Sequence, residues 1–173
     1  MGPRSRVDSF LADEAAGRGS GFTGCRVAGV GWATVDLDRA AAELLTGDRD
    51  HDPAASGDGD GRWSGVAEPT TDDRALGARC RGARIAGPDD QPITLVLLEP
   101  STEGRLAATL ARYDEGPAAV WLAAEDPASL VAGLCAAGTD LTSRQDGPLG
   151  PERLVVGGPP GLHRLVLVAP DTI

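Results

Sequence analysis

Short apolar runs, punctuated by Gly, Pro and Asp, change their period in a regular order along this chain. Cys25 to Val35 has a strand pattern, and Asp36 stands at a helix N-cap position before Asp38–Leu45, rich in Ala and Leu. Strand character returns at Ala78–Ile85 and, after the turn Gly87-Pro88-Asp89-Asp90, at Ile93–Leu98, where Pro100 stops it. Ser101 is placed to cap a helix running to about Tyr113, ended by Glu115-Gly116-Pro117. The order then recurs: a strand over Ala118–Ala124, Asp126 as cap, a helix over Ala128–Ala137 with Gly138 closing it, and strands near Thr139–Ser143, Leu154–Val156 and His163–Val168. Residues 1–22, polar and Gly-rich with one helical possibility at Val7–Ala16, are expected to form a loose arm. Residues 47–61 have no apolar periodicity and are expected to be a solvated loop.

Two halves of the chain overlay at a shift of ninety positions. Ala28 meets Ala118, Val30 meets Val120, Ala33 meets Ala123, Asp36 meets Asp126 and Leu44 meets Leu134. A second overlay, at seventy, sets Val96-Leu97-Leu98-Glu99-Pro100 on Val166-Leu167-Val168-Ala169-Pro170. The expected fold is therefore α+β, with two βαβββ modules around a pseudo-two-fold. Module one covers about 25–100, a linker helix about 101–115 and module two about 117–170, all within one domain at 23–173.

Composition narrows the function classes. All 16 basic residues are Arg, which fits the codon usage of a GC-rich genome and carries no chemistry by itself. A net charge of -10 disfavours nucleic acid and an anionic membrane surface as partners. No apolar run has the length of a bilayer span, and Met1–Gly21 lacks a signal-peptide core, so a cytoplasmic location is expected. Cys25, Cys80 and Cys135 are too widely and unequally spaced for a disulfide framework or a metal knuckle, and read as small buried hydrophobes.

Gly29-Val30-Gly31-Trp32-Ala33-Thr34-Val35-Asp36-Leu37 resembles the first strand and cap of the vicinal oxygen chelate superfamily, which includes glyoxalase, bleomycin-resistance and methylmalonyl-CoA epimerase proteins. Leu97 to Ala107, followed by Glu115-Gly116-Pro117, is similar to the inter-module segment of methylmalonyl-CoA epimerases. The resemblance covers roughly Cys25 to Pro170. It implies that a metal, where present, is held from the first and last strand of each module. The overlays put those positions at Gly29, Val96, Ala119 and Val166, none of which carries a donor atom, so no metal and no cofactor is expected. His51, within Asp48-Arg49-Asp50-His51-Asp52, and His163 do not restore a site. Pro53 stands where a calcium loop needs Gly, and His163 lies at a strand start.

Alternation places Ala119, Trp121 and Ala123 on one face with Gly29, Gly31 and Ala33. Trp121 is then either the wall of an apolar pocket floored by Gly29, Gly31, Ala119, Val96 and Val166, or the filler of the space those glycines leave. Trp32, on the opposite face, is expected under its helix. Glu99 is the candidate base at the cleft rim; Arg105 and Arg112 share a helix face and could hold an anion or pair with nearby acids. The first expectation is a metal-independent binding protein for a hydrophobic or amphipathic small molecule. The alternative is a metal-free isomerase, epimerase or lyase on an acyl-CoA or polyketide-like substrate. A scaffold role for the Asp/Gly loop is the third class, and a homodimer is compatible with each.

Overall fold

The computed structural model describes residues 4–10, 25–45, 70–74, 76–86, 91–156 and, by backbone position, 165–169. The expected loop at 47–61, with His51, and the start of the last strand at His163 lie outside the described residues. Helix α1 (4–10) precedes β1 (Cys25–Ala33), α2 (Leu37–Leu45), β2 (Thr71–Asp73), β3 (Ala78–Ala86) and β4 (Pro92–Pro100). Helix α3 (Arg105–Tyr113) leads to β5 (Gly116–Ala124), α4 (Pro127–Ala136), β6 (Asp140–Leu141), β7 (Gln145–Gly147), β8 (Gly150–Val156) and β9 (Leu165–Ala169).

One sheet runs in the order β2-β3-β4-β1-β5-β9-β8-β6, with β7 paired to β8. In each half the first strand lies parallel to the last: β1 beside β4 and β5 beside β9. The two halves join through antiparallel β1 and β5, where Gly29 faces Trp121, Val30 faces Val120 and Gly31 faces Ala119. Val30 and Val120 are also the pair that the ninety-residue overlay superimposes. The pseudo-two-fold axis therefore passes between them. Two βαβββ modules, back to back across one seam, form the α+β architecture expected from the repeat.

The two sheet faces bury different cores. On one side α1 and α2 pack Val7, Phe10, Leu37, Ala40 and Leu44 over Val30, Trp32, Leu95, Leu97 and Val120. Trp32 is thus core beneath its helix, with Arg6 stacked over the ring at 5.1 Å. The arm is not loose at its start, because burial of Val7 and Phe10 fixes 4–10 as a helical turn against the sheet. On the other side Val96, Leu98, Cys80, Ala119, Trp121 and Leu154 pack with Leu106 of α3. There the sheet curls until β2 comes up against β7.

Both modular helices start as their caps predict. Asp36 Oδ1 accepts from Arg39 N at 2.9 Å, and Asp126 Oδ1 accepts from Ser129 N at 3.0 Å. Ser101, by contrast, does not cap α3, which starts from Gly104 without a side-chain cap. The Ser101 amide instead donates to Gly77 O at 2.8 Å, which keeps it in the extension of β4. Gly138 closes α4 at φ 78°, where a side chain is disfavoured.

Candidate functional site

Gly31 is flanked by Ala119 on β5 and Val96 on β4, and Gly29 by Trp121. The concave face therefore gathers Gly29, Gly31, Val96, Ala119 and Trp121. Val166 does not join them: the β5–β9 register sets it beside Val120, while Leu165 and Leu167 stand beside Ala119 and Trp121. The overlay at seventy is one residue out. The cause is the continuous apolar run of each last strand, which offers no alternation to fix a phase.

Of the two readings of Trp121, wall of a pocket or filler of the space beside the glycines, the packing matches the second. The Trp121 side chain is fully buried. A Cβ placed on Gly31 would lie 3.0 Å from Trp121 Cζ3 and 2.7 Å from Leu98 Cδ1; one on Gly29 would lie 2.7 Å from Leu149 Cδ1. The indole, with Leu98 and Leu149, occupies the space the two glycines leave.

What the ring reaches is a carboxylate. Trp121 Nε1 donates to Glu152 Oε2 at 2.8 Å, and Glu152 is 1% exposed. Its other oxygen, Oε1, has no hydrogen-bond partner among the described residues. The carboxylate sits directly against the backbone of Gly147 on β7, where even a methyl group would collide with it. Burial pushes the Glu152 carboxyl up to about 7, the charge of Asp73 adds to this, and the Trp121 hydrogen bond opposes both. Asp73 is itself 1% exposed, with Oδ1 accepting from Leu76 N at 3.1 Å. Cys80, fully buried, completes the group. Burial first, then Asp73 and more weakly Glu152, push its thiol up to about 12, so it is a protonated, unreactive thiol near neutral pH. Cys25 is half-buried and also raised by burial; Cys135, expected to be buried, is exposed on α4.

Module one thus supplies Asp73 and Cys80, and module two supplies Trp121 and Glu152, to one closed cluster. Gly29, Val96 and Ala119 have no donor atoms, and among the described residues no group of three His, Cys, Asp or Glu side chains is placed to hold a metal.

Glu99, named from sequence as a candidate base against the simpler reading of a solvated strand-end carboxylate, lies apart from this cluster. It shares the phase of Leu95 and Leu97, beneath the helices, and is held at the strand end by Arg79 Nη1 at 3.5 Å. Arg105 and Arg112 are exposed, and the Arg112 guanidinium stacks on Tyr113 at 5.3 Å. Sequence reasoning passed over Glu152 because Pro151-Glu152-Arg153 looks like polar surface. The available signal was its phase: Glu152 stands two residues before Leu154, which faces the concave core.

A duplicated βαβββ sheet of this strand order is a glyoxalase-like fold. Solved structures agree. Over 86% of this chain and 98% of the other, it superposes on a variant of Streptomyces coelicolor methylmalonyl-CoA epimerase in complex with 2-nitronate-propionyl-CoA, at TM-score 0.63 and 17% identity. The epimerase from Mycobacterium tuberculosis matches over 85% and 88% of the two chains (TM-score 0.59, 17% identity), and a hypothetical protein from Bacillus halodurans over 86% and 96% (TM-score 0.61, 12% identity). The epimerases belong to the vicinal oxygen chelate superfamily. No family model and no curated protein matches the chain.

Proposed function

We propose that this chain is a metal-independent proton-transfer enzyme of the isomerase, epimerase or lyase kind, acting on an acyl-CoA or similar acyl substrate with Glu152 as the proton acceptor and donor. The observation that carries this reading is Glu152 itself: a buried carboxylate at the meeting of both modules, held by Trp121 through one oxygen and without a hydrogen-bond partner among the described residues at the other. A carboxyl that titrates near neutrality is available in both protonation states, as a group that removes and returns a proton must be. The shared fold with acyl-CoA epimerases supports the substrate class. Asp73 and Glu152 come from one chain, so the site needs no second copy. Leu149, at the turn between β7 and β8, covers the glycine floor, and substrate entry in this reading requires that hairpin to lift.

Deuterium wash-in at the α-carbon of methylmalonyl-CoA and other 2-branched acyl-CoA thioesters, followed by NMR, tests the proposal. Exchange is expected in the presence of EDTA and should fall roughly a hundredfold or more in Glu152→Gln. Full exchange in that variant, or none with any thioester, overturns it.

A further inference from the structure

The two modular helices are related by the repeat but packed differently. On α2, Leu37, Ala40, Ala41 and Leu44 are all buried, at 2%, 2%, 7% and 1% exposure. Their counterparts on α4 are Pro127, Leu130, Val131 and Leu134, only half-buried, and no residue of α4 is buried. An apolar helix standing off its sheet leaves a space, and here it is a cavity of about 590 Å³ between the first turns of α4 and strand β8. That volume is within the range of small-molecule sites. On the β8 side its lining also includes Pro151 and Glu152.

The lining divides by chemistry. Pro127, Val131 and Ala132 form an apolar wall along α4, and Arg144 and Arg153 stand on the opposite side. Arg153 Nη1 donates to Thr142 O at 2.9 Å, and neither arginine has a carboxylate partner among the described residues. Asp126, at the same rim, directs its oxygens into its own helix cap, to Ser129 N at 3.0 Å and Ser129 Oγ at 2.6 Å. Its charge is thereby turned toward the helix start rather than toward the arginines.

We propose that the space between α4 and β8 is a binding site for an amphipathic carboxylate: the acid group on Arg144 and Arg153, the hydrocarbon along Val131 and Ala132. Guanidinium groups bind carboxylates through paired, charge-assisted hydrogen bonds, and the exposed apolar surface of α4 is covered by the chain of the ligand.

Isothermal titration with dodecanoate and with dodecyltrimethylammonium tests this directly. Dodecanoate should bind one per chain, and the cationic amphiphile should not. Arg144→Ala should weaken dodecanoate about tenfold or more, the loss expected for a hydrogen bond to a charged group. Ala132→Trp, at an exposed helix position, should block the cavity while leaving the fold, read by circular dichroism, intact. Equal binding of both amphiphiles, dodecanoate affinity unchanged in Ala132→Trp, or no binding because a crystal structure shows the chain's own segment in the cavity would each overturn the proposal.

Discussion

Glu152 shows what a single residue can cost and supply at once. Burial, with the nearby charge of Asp73, raises its carboxyl from the ordinary 4.5 to about 7, so the folded chain keeps the proton to higher pH than the unfolded chain. Below about 4.5 both states are protonated and the residue has no pH-linked effect. Between there and about 7 the unfolded chain releases its proton first, and stability falls by at most about 3 kcal/mol before levelling. Urea titrations between pH 5 and 8 should therefore show wild type losing stability across this window and Glu152→Gln following a flatter profile; parallel profiles would mean that the carboxyl is not desolvated. The same residue marks the limit of sequence reading. Trp121 is legible, because an aromatic between Ala119 and Ala123 opposite glycines has to fill them or wall a pocket. Glu152 is hidden by polar neighbours, and only its phase with Leu154 gives it away. Glu99 looks more promising in sequence and lies beneath the wrong face.

Among the elements, those with a clear period were legible and those without were not. Strands β1, β3, β4 and β5 and helices α2 and α4 follow from alternation and from the caps Asp36 and Asp126. Strands β2 and β7 span three residues each, too few for any period to show, while β6 (Asp140–Leu141) falls inside the strand expected near Thr139–Ser143. The last strands are apolar on both faces, and Leu95, Val96, Leu97 and Leu98 are all fully buried, so their phase could be set only by pairing. The inter-module segment has a physical reason for its Glu115. Its Oε1 accepts from Thr34 Oγ1 at 2.8 Å and Val35 N at 2.9 Å and pairs with Arg39, tying the end of β1 and the start of α2 to the entry of β5. Burial would raise this carboxyl, but the bonds from Arg39, Val35 and Thr34 outweigh it and hold it below its usual value. Glu115→Ala should cost about 1–3 kcal/mol in chemical denaturation, from the loss of a half-buried acceptor serving several donors. A change within experimental error would show that the corner is held by packing alone.

For the whole molecule, the seam between β1 and β5 decides more than any helix. It places the repeat axis between Val30 and Val120 and makes each module the cover of the other's open edge. The covalent link between the modules passes through Ser101–Gly104, which is exposed, while the pairing across the seam is buried. The seam is therefore expected to hold the two halves together after the link is cut. A protein nicked between Glu103 and Gly104 by limited proteolysis should migrate as two pieces under denaturing conditions and as one particle in native light scattering. Pieces expressed separately should heal into the same particle when mixed, held by the seam and by the concave core the two modules share. Fragments that stay apart would show that the link, and not the seam, holds the halves together.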